Sequence, residues 1–237
     1  MLSQAVEDYL KTIYKLQGED RVATNHIAAV MEVSSASVTN MLKRLTRLEL
    51  VDYASYQGVR LTEAGTQVAL EIIRHHRLLE TYLKEVMGFS WSEMHEEAER
   101  LEHHISEEFE ERIDEMLGYP THDPHGHPIP TKDGKIAASA TQTLAETEPG
   151  EHVVVHHVSD GDSDLLDYLE GAGLLPQSKV QVVEKEPFNG PLKVALGGKE
   201  RVIGREVAAQ VFVRPAIHRT TASGTVASSS AERTETK

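Results

Sequence analysis

The chain contains no cysteine among its 237 residues, which excludes disulfide bonds and cysteine-ligated zinc sites. No run of apolar residues approaches the roughly 18 that a membrane span requires, and the first residues lack the pattern of a secretory signal peptide. Hydrophobic residues make up 39% of the chain, which suffices for a core in more than one domain. We therefore expect a cytoplasmic protein without a membrane partner.

Positive charge is also scarce, since the net charge is −14. This value at first argues against nucleic acid as a partner, but the negative charge is unevenly distributed. The net charge is −1 over residues 1–65, −9 over 66–145 and −4 over the remainder, and the acidic middle holds 8 of the 13 histidines. The N-terminal region stays compatible with a phosphate backbone, although it is not a basic module.

The pattern of the N-terminal region predicts a winged helix-turn-helix over residues 1–65. Apolar spacing indicates helices over 4–17, 24–31 and 36–48, and then two short strands over 50–56 and 59–62. We expect Thr24 to cap the second helix, Ser34 or Ser35 to cap the third, and Gln57-Gly58 to form the hairpin turn. The alternative is a small structural subdomain without DNA binding.

The polar face of the third helix favours DNA binding, because its side chains have donors that reach base edges and phosphates. On this model Thr39 and Asn40 read bases. The predicted phosphate contacts are Ser37, Lys43, Arg44 and the wing residue Arg60.

Residues 66–130 are expected to be a helical domain for dimerisation and metal binding. A long helix should run from Glu63 or Thr66 to about Met87. A capping box at Ser90–Glu93 should open a second helix that continues to about Leu117. Its apolar stripe suits a homodimer interface and consists of Met94, Ala98, Leu101, Ile105, Phe109, Ile113 and Met116.

Three side chains of that helix have the spacing of metal ligands. Glu99, Glu102 and His103 stand at i, i+3 and i+4, which puts them on one helix face. Two carboxylates and an imidazole favour manganese, iron or magnesium over a thiolate-binding metal. The alternative is an acidic helix whose Glu and His side chains are simply solvated.

The remaining residues predict a linker over 131–149, a small β-barrel over 150–214 and a disordered tail over 215–237. Strands are expected at 153–155, 180–183, 192–196 and 211–213, with a short helix at 163–170. The predicted fold class is therefore mainly α with small β parts: a winged helix-turn-helix, a helical domain and a C-terminal β-barrel.

Catalysis is not expected. A zinc peptidase needs His-Glu-x-x-His on a helix, whereas the fifth residue of the segment beginning at His95 is Glu99. A ferritin-like carboxylate enzyme needs Glu-x-x-His twice in a four-helix bundle. A winged-helix repressor that senses a ligand other than a metal remains an alternative.

Three segments resemble one known family. Glu7-Asp-Tyr-Leu-Lys-Thr-Ile-Tyr14 is similar to the first helix of metalloregulators of the diphtheria toxin repressor family. His76-Arg-Leu-Leu-Glu80 and His95-Glu-Glu-Ala-Glu-Arg-Leu-Glu-His103 resemble that family's ligand helices, and Pro124-His-Gly-His-Pro-Ile-Pro130 resembles its proline-rich turn. The likeness is close over residues 4–130 and strongest to the manganese-sensing branch. Residues 150–214 resemble the SH3-like (FeoA-like) module more loosely.

The resemblance implies a primary metal site formed by Asp8, Glu99, Glu102 and His103. In the iron-sensing branch the positions of Asp8 and Glu99 hold methionine and cysteine. Hard oxygen in place of sulfur makes Mn²⁺ acceptable, with Fe²⁺ as the alternative. The family also implies a homodimer, a double-stranded DNA operator and repression of metal-uptake genes.

The resemblance further implies a second metal site, for which His76, Glu80 and His95 match one set of positions. The proline-rich turn adds Asp123, where relatives have cysteine, and His125. Asp160 matches a third-domain ligand less surely, with His156 as a competing candidate. The alternative is that the histidines of the turn are solvated.

Lys11 is a departure from some two-domain manganese sensors, which have a metal-bridging carboxylate at this position. An ammonium group only donates hydrogen bonds, so Lys11 does not bridge two ions.

Overall fold

The N-terminal part of the chain is the winged helix-turn-helix that the sequence predicts. The computed structural model describes residues 2–18 and 20–216, so most of the tail predicted to be disordered lies outside the described residues. Three helices precede an antiparallel hairpin: α1 (Gln4–Leu16), α2 (Thr24–Val30), α3 (Ser35–Arg47), β1 (Val51–Ala54) and β2 (Gly58–Leu61).

Local caps and turns in this region differ from the prediction in two details. The cap of α3 agrees with the prediction: Ser34, one of the two expected serines, accepts a hydrogen bond from the Ser37 amide through its hydroxyl. The predicted Thr24 cap does not form, since Ala23 holds the N-cap position of α2. The hairpin turn comprises residues 55–57, so Gly58 opens β2 instead of completing the turn.

The second domain contains three helices where the sequence predicts two. α4 (Glu63–Glu85) is the expected long helix, but the next predicted helix is divided into α5 (Trp91–Leu101) and α6 (Glu107–Met116). The predicted capping box at Ser90 does open α5. The prediction of one continuous helix is wrong because Ser106 caps α6 by accepting from the Phe109 amide.

The break in the helix changes the environment of the metal-binding side chains and of the apolar stripe. Glu102 and His103 lie just beyond the last residue of α5, in the turn that leads to α6. Met94 and Ile113 are buried as expected, whereas Phe109 is 46% and Met116 64% exposed. The stripe is therefore only partly a core face within one chain.

The third domain is a five-stranded antiparallel sheet in the order β6-β5-β4-β3-β7. Its strands are β3 (His152–Val158), β4 (Lys179–Lys185), β5 (Leu192–Leu196), β6 (Lys199–Ile203) and β7 (Val211–Pro215). Helix α7 (Ser163–Ala172) connects β3 to β4, and the short helix α8 (Arg205–Ala208) connects β6 to β7. The edge strand β6 was not predicted, because its Lys-Glu-Arg sequence is polar and mostly exposed. A hydrogen-bonded β6–β7 pair is absent from this sheet, so the predicted barrel is observed as an open SH3-like sheet.

Two apolar cores hold the described residues together. The first belongs to the winged helix-turn-helix. The second is continuous from Leu78 in α4 to Val213 in β7, and it includes Leu144 and Ala145 of the predicted linker. Residues 143–147 therefore pack with the third domain, where a 3₁₀ turn spans Leu144–Glu146.

The proline-rich turn is held between α4 and β3. Arg77 donates to the Pro128 carbonyl at 2.6 Å, and Arg74 donates to that of Pro130 at 2.8 Å. The Val158 amide of β3 donates to the His125 carbonyl at 3.0 Å. These contacts position the His125 side chain over α4.

Among the described residues, none of the helices is both long and apolar enough to span a bilayer.

Candidate metal centre

A buried cluster joins α1 to the turn after α5. His103 Nε2 lies 2.9 Å from Asp8 Oδ1 and 3.2 Å from Glu102 Oε1. The three residues offer ligand atoms within 4.8 Å of one another. Octahedral ligands with metal–oxygen bonds of about 2.1 Å lie about 3 Å apart when adjacent. The spacing of these atoms therefore fits adjacent ligands of one ion.

Glu7 fixes the tautomer of His103. Since a carboxylate only accepts, the imidazole must donate Nδ1–H to Glu7 Oε2, which lies 2.7 Å away. In the neutral ring Nε2 then carries the lone pair that a metal requires. A carboxylate behind a histidine ligand is a common arrangement at metal sites.

Glu99 is close to this cluster but is held by Lys11. Lys11 Nζ lies 2.8 Å from Glu99 Oε1 and 2.6 Å from Glu102 Oε1. Glu99 groups geometrically with His76 and Glu102, not with Asp8 and His103. Its side chain is 40% exposed, so this side of the cluster opens to solvent.

His76 connects the first cluster to a second one. Its Nδ1 donates to Glu102 Oε2 at 2.7 Å and its Nε2 donates to Glu80 Oε1 at 3.0 Å. Burial lowers the pKa of His76, but the Glu80 carboxylate and the two hydrogen bonds outweigh it and raise the pKa to about 10. One of the two nitrogens would have to release its proton before it could ligate a metal.

The second cluster centres on Glu80, whose side chain is fully buried. His95 Nδ1 lies 2.8 Å from Glu80 Oε1, and His125 Nδ1 lies 3.5 Å from it. Glu80, Asp123 and His125 form one group of possible ligands, and His76, Glu80 and His95 form another. Burial raises the pKa of Asp123, while the charge of His76 outweighs burial and lowers that of Glu80.

Several buried atoms of the two clusters have no hydrogen-bond partner, which is costly unless a cation is present. His103 Nε2 faces two carboxylate oxygens without hydrogen-bond alignment. The second cluster adds Glu80 Oε2, both ring nitrogens of His125, and Asp123 Oδ2, which has Arg77 Nε at 3.4 Å as an ion-pair partner. Because the atoms are oxygens and nitrogens that converge, the residues fit a divalent ion in each cluster.

The two third-domain candidates lie outside these groups. Asp160 Oδ2 is 3.8 Å from Lys15 Nζ and 3.9 Å from His127 Nε2. Burial would raise the pKa of Asp160, but the electrostatic effect of Lys15 and His127 outweighs burial and lowers this pKa. His156 Nδ1 instead lies 2.9 Å from His157 Nδ1, next to a β-bulge that offsets the two strands at Val155/His157.

Sequence reasoning missed two residues that support the first cluster. Glu7 was named only as part of a family segment, and its adjacency to Asp8 on α1 was the available signal. His75, which the sequence gave no role, is buried between the Glu102 carbonyl and Glu110 Oε2, each 3.1 Å from a ring nitrogen. Helical periodicity gave no signal for His75, because both partners come from another part of the chain.

Most of the predicted DNA-contacting residues of the winged helix-turn-helix are exposed. Ser37, Asn40, Lys43 and Arg44 of α3 are exposed, and so is Arg60 on β2. Thr39 is half-buried, and its hydroxyl donates to the Ser35 carbonyl.

This fold and these clusters define a winged-helix DNA-binding protein with a metal-binding domain. Family models agree along the chain. Residues 1–59 match "Iron dependent repressor, N-terminal DNA binding domain", 62–131 match "Iron dependent repressor, metal binding and dimerisation domain", and 142–215 match the FeoA domain. The chain belongs to the iron-dependent repressor family of metal-dependent transcriptional regulators, which includes the diphtheria toxin repressor.

Individual relatives span most of the chain. The iron-dependent repressor IdeR of Mycobacterium tuberculosis (strain ATCC 25618 / H37Rv) is 34% identical over 90% of this chain and 97% of that protein. The diphtheria toxin repressor of Corynebacterium diphtheriae is 28% identical over 84% of this chain and 92% of that protein.

Solved structures superpose over most of the chain. A manganese-dependent transcriptional repressor in complex with manganese superposes with a TM-score of 0.82, is 35% identical, and covers 89% of this chain and 100% of its own. ScaR with bound Cd²⁺ has a TM-score of 0.77 and 34% identity over 89% of this chain and 99% of its own.

Proposed function

We propose that this protein is a manganese-responsive repressor of metal-uptake genes. The observation that carries the proposal is the oxygen and nitrogen cluster that joins Asp8 of α1 to Glu102 and His103 of the turn after α5. One element of the cluster belongs to the DNA-binding domain and the other to the metal-binding domain. An ion held there would link the positions of the two domains.

The proposed primary centre consists of Asp8, Glu99, Glu102 and His103. Asp8 and Glu102 would contribute carboxylate oxygens, and His103 would contribute the Nε2 lone pair that Glu7 directs. Glu99 must leave Lys11 to join them. The ion would neutralise this buried negative charge and fix the distance between the two elements.

The proposed second centre consists of Glu80, Asp123 and His125, with His76 and His95 around Glu80. Asp160 would reach it only after leaving Lys15. The buried atoms of Glu80 and His125 without hydrogen-bond partners support this assignment. His156 is not included, because its Nδ1 is engaged with His157.

Manganese is favoured by the chemistry of the donors. All are carboxylates or imidazoles, and no thiolate is available because the chain lacks cysteine. Fe²⁺ accepts the same donors and lies next to Mn²⁺ in the affinity series. An iron-responsive regulator is therefore the second candidate, supported by relatives named iron-dependent repressors.

Repression would proceed through operator DNA bound by a homodimer. Thr39 and Asn40 of α3 would read base edges. Ser37, Lys43, Arg44 and Arg60 would hold phosphates. With metal bound, α1 would fix each α3 at the spacing of two major-groove half-sites. We place this activity in the cytoplasm and propose no catalytic step.

The coupling between metal and DNA binding is reciprocal. Allosteric coupling free energies are typically about 1–3 kcal/mol, so Mn²⁺ should tighten operator binding by roughly 5–150-fold. DNA must then tighten Mn²⁺ binding by the same factor. A winged-helix protein that senses a non-metal ligand would show no such relation.

The test is a comparison of Mn²⁺, Fe²⁺ (under anaerobic conditions) and Zn²⁺ as activators of DNA binding. A suitable probe is a duplex that the protein itself enriches from a random-sequence pool in the presence of Mn²⁺. Activation at free Mn²⁺ concentrations in the micromolar range, with Fe²⁺ weaker, is expected. Activation by Fe²⁺ alone would favour the second candidate, and indifference to all three ions would refute metal sensing.

A further inference from the structure

Lys11 lies inside the proposed primary centre. From the family resemblance alone, it marks only a position where the metal-bridging carboxylate of some relatives is missing. Its ammonium contacts Glu99 Oε1 and Glu102 Oε1 at 2.8 Å and 2.6 Å. The Lys11 side chain is 9% exposed, and that of Glu102 is fully buried. The lysine therefore provides the neutralising charge that a metal ion would otherwise provide.

The position of this charge conflicts with full metal ligation. Glu102 Oε1 faces both Lys11 Nζ and His103 Nε2, at 2.6 Å and 3.2 Å. An ion coordinated by this oxygen and by His103 would carry positive charge close to the ammonium. Glu99, held by Lys11, is also separated from the group of Asp8, Glu102 and His103. Metal binding therefore competes with the contacts of Lys11 with these carboxylates.

We propose that Lys11 is an affinity-determining residue of the primary centre, a tethered cation that competes with the metal for Glu99 and Glu102. The inference rests on the proposed function and deepens it. Buried carboxylates need a positive partner, and their metal-free form is stabilised when a lysine supplies it. The same contacts weaken metal binding, because they must be given up. Lys11 thus keeps the metal-free protein folded and raises the metal concentration needed for occupancy.

The test removes the charge of Lys11 and retains a long, unbranched side chain, as in Lys11→Met. The matched control is Lys84→Met, which removes a lysine from another partly buried ion pair, with Glu170 at 2.7 Å. The Mn²⁺ dissociation constant is measured by competition with a fluorescent chelator. The melting temperature is measured with a chelator and with saturating Mn²⁺.

Loss of a like charge within about 4–6 Å typically changes an ionic equilibrium by tenfold or more. Lys11→Met should therefore bind Mn²⁺ about tenfold or more tightly than the wild type. Its metal-free form should melt at a lower temperature, and saturating Mn²⁺ should reduce the difference. Lys84→Met should leave the Mn²⁺ affinity unchanged. If Lys11→Met does not fold without metal, Lys11→Gln is tested in the same way.

Unchanged or weaker Mn²⁺ binding in the Lys11 variants would overturn the inference. This outcome differs from failure of the proposed function, in which the wild type would bind no Mn²⁺ or Asp8→Ala would bind it equally well. If a Lys11 variant binds Mn²⁺ with wild-type affinity while Asp8→Ala has lost binding, the metal site is supported. Only the competing role of the lysine is then refuted.

Discussion

At the scale of single residues, hydrogen bonding distinguishes His103 from His76. His103 donates to one carboxylate and keeps its Nε2 facing two others, whereas His76 donates from both nitrogens. The sequence predicted both as ligands from spacing and resemblance. The i, i+4 spacing indicates the His76–Glu80 pair, but the pairs His103–Glu7 and His76–Glu102 were not predictable, because their members are far apart in the sequence. The assignments as ligands stay predictions.

Glu7→Gln should weaken Mn²⁺ binding without removing a ligand. An amide at this position can present a donor to His103 Nδ1. The side chain would then no longer hold the ring in the tautomer whose Nε2 lone pair faces Asp8. Loss of such a supporting carboxylate typically lowers metal affinity by roughly 10–100-fold. Mn²⁺ titration measures the effect, and the exposed Glu85→Gln on α4 serves as control. Equal affinities of the two variants would contradict a positioning role for Glu7.

His125→Ala should abolish one metal site and leave the other. His125 lies 3.5 Å from Glu80 through its Nδ1 and carries two unpartnered nitrogens, whereas His156 is paired with His157. Elemental analysis after dialysis against Mn²⁺ should show one ion fewer per chain in His125→Ala than in the wild type. His156→Ala should retain the wild-type count. The opposite result would make His156, and not His125, a ligand of the second centre.

At the scale of elements, the division of α5 from α6 places Glu102 and His103 in a turn. The periodicity of the apolar residues predicted one helix, because each residue of the stripe keeps helical spacing across the break. The Ser106 cap is a local signal that the apolar pattern obscured. The contact of His75 with the Glu102 carbonyl depends on tertiary structure and was not predictable.

The α4–α6 contact should make stability pH-dependent in a definite direction. Burial would raise the pKa of Glu110, but hydrogen bonds from His75 and Arg74 outweigh it and lower the pKa from 4.5 to about 2. Its ionised form therefore stabilises the fold fully above about pH 5, and this stabilisation is lost as the pH falls from 4.5 toward 2.

Glu110→Gln should reduce the free energy of unfolding by about 2 kcal/mol at pH 7, the order expected for hydrogen bonds to charged groups. Urea denaturation of the metal-free protein between pH 7 and pH 3.5 measures the difference from the wild type. The difference should be constant above pH 5 and shrink below it. A difference that grows as the pH falls would contradict the assigned sign.

The proline-rich turn depends on a glycine at its contact with β3. Gly126 has φ +91°, and a Cβ there would lie 2.2 Å from the His156 carbonyl oxygen. Gly126→Ala should lower the free energy of unfolding by about 2 kcal/mol or more, because both the conformation and the contact oppose a side chain. Gly171→Ala in α7, where a Cβ meets no atom within 4 Å, is the control and should be near neutral. Equal stability of the two variants would contradict tight docking of the turn.

At the scale of the whole molecule, the third domain and the metal-binding domain share one core. The winged helix-turn-helix, the helical domain and the SH3-like sheet were predictable, because each has its own periodicity and turn residues. The shared core was not, since Leu144 and Val153 give no sign of packing near Trp91. The proposed second centre takes its ligands from the metal-binding domain and lies beside the contact of the proline-rich turn with β3, so an ion there would fix that turn.

In the proposed function, an ion between α1 and the turn after α5 switches DNA binding on. The most direct test is a titration of DNA binding with Mn²⁺ by fluorescence anisotropy, comparing the wild type with Asp8→Ala on the same selected duplex. Mn²⁺ should tighten binding by the wild type at least fivefold and should leave Asp8→Ala at its metal-free affinity. An unchanged Mn²⁺ dependence in Asp8→Ala would contradict the proposed function.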